Sequence, residues 1–323
     1  MKISIIGTGI YGIALALKVA KNNHTIKMWS ENEKLIKNFQ KNHNFKPLTD
    51  AQIPKNISIT NNIAEAIADT DLVIIATTAK YVRSVCNEMS NISKNIPICI
   101  ASKGVENDTC SFLSDIVSNI LKTKHIGVIS GPTFAVDLIS DEPCALSLAV
   151  NSKKTEKTIK EALANPFLKL RVNHDLIGTE ICGSIKNVIA IAAGILDGLG
   201  YHESTRCFLI TESLHDIKEL LYKLECNPKT CFSFAGVGDL MLTCSTPKSR
   251  NYKFGVVLGK SKSKNAVEQY LKENTTEGYY TLFSIKELTK NRKIKMPIIN
   301  IIYDIVINNK NPEILPEFLI NKN

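Results

Sequence analysis

One lysine is singled out by its surroundings. The segment Cys182-Gly183-Ser184-Ile185-Lys186-Asn187-Val188-Ile189-Ala190-Ile191-Ala192-Ala193-Gly194 reads as a strongly apolar helix, and Lys186 is its one charge. Burying an ammonium is costly unless it has a partner or a task. Desolvation lowers its pKa toward neutrality, where a lysine can accept and donate protons. The competing reading is a surface lysine whose stem lies on apolar neighbours while its head reaches water. Two other stretches carry charge in suggestive company. Asp239, in Gly236-Val237-Gly238-Asp239-Leu240, is either a helix cap or a functional carboxylate. Ser249-Arg250-Asn251 sets a guanidinium fork between two hydrogen-bonding side chains, which suits a phosphate or carboxylate, though alone it also fits a solvated turn.

The N-terminal loop Gly7-Thr8-Gly9-Ile10-Tyr11-Gly12 suits a different ligand. It follows a β-branched run and opens a helix, the context that a dinucleotide-binding G-x-G-x-x-G requires. Gly7 permits the tight turn, Gly9 lets the backbone approach a pyrophosphate, and Gly12 lets the helix pack close to the strand. The helix N-terminus meets the phosphate charge with free N–H groups and its positive dipole end. A glycine-rich turn with no ligand is the alternative. Glu31 lies nineteen residues past Gly12, after the second strand. A carboxylate there bonds the ribose hydroxyls of NAD and repels the 2′-phosphate of NADP, so NAD is the expected cofactor and NADP the alternative. Glu31 could instead begin the next helix and face solvent. Ser102-Lys103-Gly104 and Ser130-Gly131-Pro132-Thr133-Phe134-Ala135 each follow a predicted strand, at the edge where ligands bind in such sheets.

These residues need elements to hold them. Strand signals at Lys2–Ile6, Thr25–Trp29, Asp71–Ala76, Ile96–Ala101 and His125–Ile129 alternate with helical ones at Tyr11–Lys21, Glu31–Lys41 and Ser111–Lys122. That alternation predicts an α/β fold, a doubly wound parallel sheet of the Rossmann type. From Glu180 onward helical periodicity dominates: Glu180–Leu199, Arg206–Cys226, Asn251–Leu258, Ala266–Glu273, Tyr279–Asn291, Pro297–Asn308, and a short helix and tail over Pro312–Asn323. The expected division is a dinucleotide-binding domain over 1–180 and an all-helical substrate-binding domain over 181–323.

Composition narrows the classes. The chain has 323 residues, 44% of them hydrophobic, enough for a sizeable core. The net charge of +9 is spread thinly, and a basic stretch such as Lys260-Ser261-Lys262-Ser263-Lys264 has only three lysines. A nucleic-acid binder would carry a clustered stripe, so none is expected to bind. The nine cysteines form no C-x-x-C pair, and none pairs with histidine at zinc spacing. They read as reduced thiols of a cytoplasmic protein with no metal. Gly7, Gly9 and Gly12 interrupt the apolar N-terminus, which argues against a secretory signal. No apolar run of about 18 residues suggests a membrane span.

Taken in order along the chain, several of these stretches resemble the soluble NAD(P)-dependent glycerol-3-phosphate dehydrogenase family, in its bacterial form. They are Gly7–Gly12 with Tyr11, Trp29, Ser102-Lys103-Gly104, Ser130–Ala135, Gly183–Gly194 around Lys186-Asn187, Gly238-Asp239-Leu240, Leu242-Thr243-Cys244, Ser249-Arg250-Asn251 and Glu277-Gly278. The resemblance implies interconversion of sn-glycerol 3-phosphate and dihydroxyacetone phosphate, usually toward glycerol 3-phosphate for phospholipid synthesis. It implies that Lys186 is the general acid/base, that Asp239 orients it and the substrate hydroxyl, and that Lys103 lies between cofactor and substrate. Gly131, Thr133, Ser249, Arg250 and Asn251 would hold the substrate, with Arg250 on its phosphate. Ile10, Tyr11, Lys103, Ala135, Arg250 and Glu277 would contact the cofactor, beside Gly7, Gly9, Gly12 and Glu31 read above from the loop and the second strand. A homodimer is common in the family.

Two departures stand out. Family members usually carry a basic residue or His just after the tryptophan of the second strand, where Glu31 falls in this chain. After the strand Asp71–Ala76 they commonly read Val-Pro-Ser, where this chain has Thr77-Thr78-Ala79. The rival enzyme reading is another two-domain hydroxyacid dehydrogenase, such as a ketopantoate reductase, compatible with Lys186-Asn187 but not with Ser130–Ala135 and Ser249–Asn251. The non-enzyme reading is a dinucleotide-binding redox sensor, which no DNA-reading motif supports.

Overall fold

The computed structural model describes residues 1–44, 53–140, 142–261 and 264–322, with the backbone alone at 264 and 265. Lys262 and Ser263, inside the basic stretch 260–264, and Asn323, in the expected tail, lie outside the described residues. Two compact units form: Met1–Lys103 with Leu113–Leu176, and Gly104–Phe112 with Ile177–Asn323. The sequence reading has no such excursion of 104–112. Val105 and Phe112 are buried in the second unit's core, and Ser284 Oγ donates to Asn107 Oδ1 at 2.9 Å.

The first unit is built on eight strands: β1 (Lys2–Ile6), β2 (Thr25–Trp29), β3 (Ile57–Thr60), β4 (Leu72–Ile75), β5 (Ile98–Ile100), β6 (Ile126–Ser130), β7 (Cys144–Val150) and β8 (Leu168–Asn173). They lie in the order β3-β2-β1-β4-β5-β6-β7-β8. The order reverses between β1 and β4, which makes that junction the switch point where doubly wound sheets bind ligands. β4, fully buried, reads Leu-Val-Ile-Ile, as a central strand covered on both faces should. The sheet is parallel except that β7 runs antiparallel to β6. The connection between them holds only the short helix Ala135–Ile139, too little to carry the chain back along the sheet.

Three strands escaped the sequence reading for physical reasons. β3 has four residues and alternates Ile57 and Ile59 with Ser58 and Thr60, without the continuous apolar run that marks β4. Four of the seven residues of β7 are Cys, Ala or Ser, small side chains without the β-branched or aromatic signal of a strand. β8 alternates Lys169, Arg171 and Asn173 with apolar residues, as a polar-faced edge strand does.

The second unit is helical. Its centre is the helix Leu176–Gly198, buried from Gly178 to Leu196. By length and composition alone it could cross a membrane, but 89% of its most apolar window is buried inside the protein, which marks a core helix. It packs backbone to backbone against the helix Arg250–Lys260. A Cβ on Gly194 would fall on the Tyr252 carbonyl, and one on Gly255 on the Ile191 carbonyl. Glycine at both positions therefore permits the approach. The buried face of Pro297–Val306 joins the same core, and Ile298 N donates to Asp216 Oδ2 of the helix Glu203–Lys223 at 3.1 Å.

Candidate active site

In the first unit, β1 ends at Ile6 beside Ile75 of β4. Gly7 then turns with φ +117, and a Cβ there would lie 2.9 Å from the Ala76 carbonyl. A Cβ on Gly12 would strike the Gly7 carbonyl, whereas one on Gly9 meets nothing within 4 Å. Open space thus remains beside Gly9, at the N-terminus of the helix Ile10–Ala20. That helix has no side-chain cap and no acidic residue in its first turn. Its leading N–H groups and dipole are left for an anion. Thr8 Oγ1 and Ser30 Oγ, 2.6 Å apart, tie the loop to the end of β2. These features fit a dinucleotide, with the pyrophosphate over Gly9 as the natural seat.

Further groups gather in the same unit. The Tyr11 hydroxyl lies 3.1 Å from Thr133 Oγ1, and Lys103 Nζ stands 6.0 Å from the centre of the Tyr11 ring. Gly131 is pressed against the Ala145 carbonyl, where a Cβ would sit 2.8 Å away. Ala135 begins the helix Ala135–Ile139, and Ile10 is half exposed. Glu31 is exposed at a bend after β2. It does not start the next helix, which is capped by Asn32 and begins at Glu33.

In the second unit Lys186 is buried, 8% exposed, and so does not snorkel. Its ammonium donates to Asp239 Oδ1 at 2.6 Å and to Thr243 Oγ1 at 3.0 Å. Desolvation was the only influence visible in sequence; the structure adds a buried carboxylate, which favours the charged form. Asp239 is the first residue of the helix Asp239–Cys244 and not its cap, a position taken by Gly238. Its carboxylate accepts from Lys186. Thr243, one turn on, donates to the Asp239 carbonyl at 2.6 Å while accepting from Lys186. Its role went unread in sequence, although the four-residue spacing from Asp239 puts both on one helix face. Burial raises the pKa of the neighbouring Cys244 thiol, with Lys186 acting the other way, so Cys244 is apolar packing and no nucleophile.

A second network joins the remaining residues of that unit. Asn251 Nδ2 donates to Asn187 Oδ1 at 3.0 Å, and Gly278 N donates to Asn251 Oδ1 at 2.9 Å. Asn187 Nδ2 reaches Glu277 Oε2 at 3.5 Å. Ser249 caps the helix Arg250–Lys260, accepting from Tyr252 N at 3.3 Å. Arg250, at the first position of that helix, is exposed. The adjacent Asn251 is fixed and buried, so the guanidinium is carried on an anchored base with its fork unburied. The segment is an ordered helix start and not a solvated turn.

A strand–loop–helix cradle in a doubly wound sheet, followed by a helical unit with a buried Lys–Asp pair, defines a nicotinamide-dinucleotide dehydrogenase of two-unit plan. The particular family follows from similarity over nearly the whole chain. Residues 2–156 match the N-terminal part of the NAD-dependent glycerol-3-phosphate dehydrogenase family, and residues 175–317 its C-terminal part. The chain belongs to that family. It is 35% identical over 313 residues to the glycerol-3-phosphate dehydrogenase (NAD(P)+) of Staphylococcus haemolyticus, covering 94% of this chain and 93% of the relative. It is 35% identical to that of a Thermoanaerobacter species, with 97% and 94% covered. The crystal structure of glycerol-3-phosphate dehydrogenase from Coxiella burnetii is similar with a TM-score of 0.93 at 28% identity, covering 99% of both chains. A ketopantoate reductase from Ralstonia eutropha shares the fold alone, with a TM-score of 0.64 at 13% identity.

Proposed function

We propose that this chain interconverts sn-glycerol 3-phosphate and dihydroxyacetone phosphate, with NAD(H) as the preferred cofactor. The observation that carries the reading is the buried Lys186–Asp239 pair with its 2.6 Å bond, in a chain of this family. The bound nicotinamide would supply or accept the hydride. As the ketone is reduced, negative charge develops on the C2 oxygen. The Lys186 ammonium is suited to stabilise that oxygen and then protonate it. Asp239 and Thr243 hold the ammonium in place. Arg250, with Ser249 and Asn251, would take the phosphate, whose binding energy fixes C2 for the transfer. Gly131, Thr133 and Lys103 are assigned to the substrate as well. Lys103, Ile10, Tyr11, Ala135, Arg250 and Glu277 are assigned to the cofactor beside Gly7, Gly9 and Gly12.

Glu31 supports the preference for NAD over NADP, since its exposed carboxylate after β2 would repel a 2′-phosphate. The reading extends to a cytoplasmic enzyme that supplies the phospholipid headgroup precursor, and to a homodimer. Purified protein mixed with dihydroxyacetone phosphate and NADH should consume the reduced cofactor, and more efficiently than with NADPH. Turnover with ketopantoate in place of dihydroxyacetone phosphate would favour the rival reductase. Cofactor binding without any turnover would favour the sensor. Equal efficiency with NADH and NADPH would remove the role given to Glu31.

A further inference from the structure

Among the described residues, the buried hydroxyls that find no hydrogen-bond partner are those of Thr77, Thr78 and Ser130. Buried polar groups are ordinarily satisfied, so each such group calls for a partner that arrives from outside. Other buried hydroxyls of this chain are satisfied: Ser4 donates to the Ala66 carbonyl at 2.6 Å, Ser184 to Glu180 at 2.6 Å and Ser213 to Leu209 at 2.7 Å. The three orphans all stand at the carboxyl ends of strands, Thr77 and Thr78 just past β4 and Ser130 at the end of β6.

Thr77 and Thr78 hold the more telling position. They leave β4 at the junction with β1, where the strand order reverses. Ala76 N donates to the Ile6 carbonyl at 2.8 Å, so the two chains run side by side into the glycine loop. The Thr77 amide nitrogen lies 3.0 Å from where a Gly7 Cβ would be. The loop is also held rigid without using either hydroxyl. Ser102 Oγ donates to the Thr77 carbonyl at 2.6 Å, and Tyr81 N to the Thr78 carbonyl at 3.0 Å. Thr78 precedes the single helical turn Ala79–Tyr81, where a threonine usually caps with its hydroxyl, yet it makes no such bond.

We propose that Thr77 and Thr78 are cofactor-binding residues, whose hydroxyls bond the ribose and pyrophosphate oxygens of a dinucleotide seated at the Gly7–Gly12 loop. The inference rests on the dehydrogenase reading above and adds to it two side chains outside the glycine loop. Ribose and phosphate oxygens offer both acceptors and donors, which a hydroxyl can match in either direction. A neutral hydroxyl bond of about 1 kcal/mol corresponds to roughly fivefold in affinity at 25 °C, and one to a charged oxygen to more.

The test is a pair of single variants, Thr77→Val and Thr78→Val, and the double variant, which keep the side-chain shape and remove the hydroxyl. Affinity is measured by calorimetric titration of the full chain with NADH and with ADP-ribose, which retains both riboses and both phosphates. Each single variant should bind both ligands about fivefold more weakly, and the double variant more weakly still. Without ligand, the variants should melt at or above the temperature of the parent, because an unsatisfied buried hydroxyl is gone. Unchanged NADH affinity in the double variant would overturn the proposal. So would a loss for NADH with full retention of ADP-ribose, which would put the hydroxyls against the nicotinamide. A lowered melting temperature without ligand would overturn it too, by revealing a structural partner. Failure of the parent protein itself to bind NADH would instead bring down the dehydrogenase reading.

Discussion

In the first unit, the groups placed to meet the phosphates and riboses of a dinucleotide are backbone N–H groups at Gly9–Gly12 and, among the described residues, buried hydroxyls without partners. In the second, the working groups are charged side chains already bound to one another, Lys186 to Asp239 and Thr243. The two arrangements fit two tasks. A cofactor that comes and goes is well met by rigid, neutral groups whose hydrogen bonds it completes. A proton donor that must stay charged away from water needs a fixed counter-charge, whatever is bound. The dinucleotide loop is therefore completed by its ligand, whereas the Lys186–Asp239 pair is assembled before the ligand arrives.

The comparison breaks most visibly at Lys186. Lys186→Ala should lower turnover by roughly 10²–10⁴-fold while keeping NADH affinity, because acid–base catalysis is worth about that much. Steady-state kinetics with NADH binding alongside decides it, and near-normal turnover would remove Lys186 from its role. Asp239→Asn should cost both activity and stability. It leaves an ammonium buried without its counter-charge, a loss of about 3–5 kcal/mol in denaturant unfolding. Replacing both, as Lys186→Met with Asp239→Leu, should recover most of that stability and none of the turnover. If the single Asp239 variant unfolds like the parent, the pair is not the closed unit described.

Glycine substitutions separate the units at a smaller scale. Gly255→Ala drives a methyl into the Ile191 carbonyl and should cost about 1–3 kcal/mol of stability. Gly7→Ala forces an L residue to φ +117 beside the Ala76 carbonyl. It should cost a similar amount and also weaken NADH binding, an effect Gly255→Ala should lack. Equal loss of NADH affinity in both would contradict the division of labour.

The smallest effect is alkaline. Burial acts against the Lys322 ammonium, but its hydrogen bonds to Asp216 and Glu212 outweigh it and hold its pKa above the usual lysine value. Its stabilising contribution is complete below about pH 10 and is lost as pH rises through the raised value. In the first unit, burial pushes the thiols of Cys86 and Cys99 up to about 12. The unfolded chain ionises such thiols above about pH 8.5. Stability should therefore fall from there upward as the unfolded state sheds protons that the native state keeps. Lys322→Met should flatten the alkaline loss above pH 10 and leave the region between about 8.5 and 10 unchanged. An identical profile for both proteins would dismiss the Lys322 contribution.

Much of this protein is written locally. The glycine spacing, the one charge in an apolar helix and the Ser249-Arg250-Asn251 triplet depend on neighbours a few residues apart, and so does alternating strand and helix. Those features announced a dinucleotide loop, a lysine acid and an anion clamp before any contact was known. Tertiary structure decided who faces whom. Lys186 and Asp239 are 53 residues apart in sequence, and no local rule distinguishes a capping Asp from one turned to a buried ammonium. The same holds for Asn187, Asn251 and Gly278, joined across three helices. The antiparallel turn of β7 came from how little helix its connection holds, and its small residues hid the strand. The hydroxyls of Thr77 and Thr78 looked like any others in a loop. Only packing, which satisfied their carbonyls through Ser102 and Tyr81 and shut water from their oxygens, left them waiting for a partner.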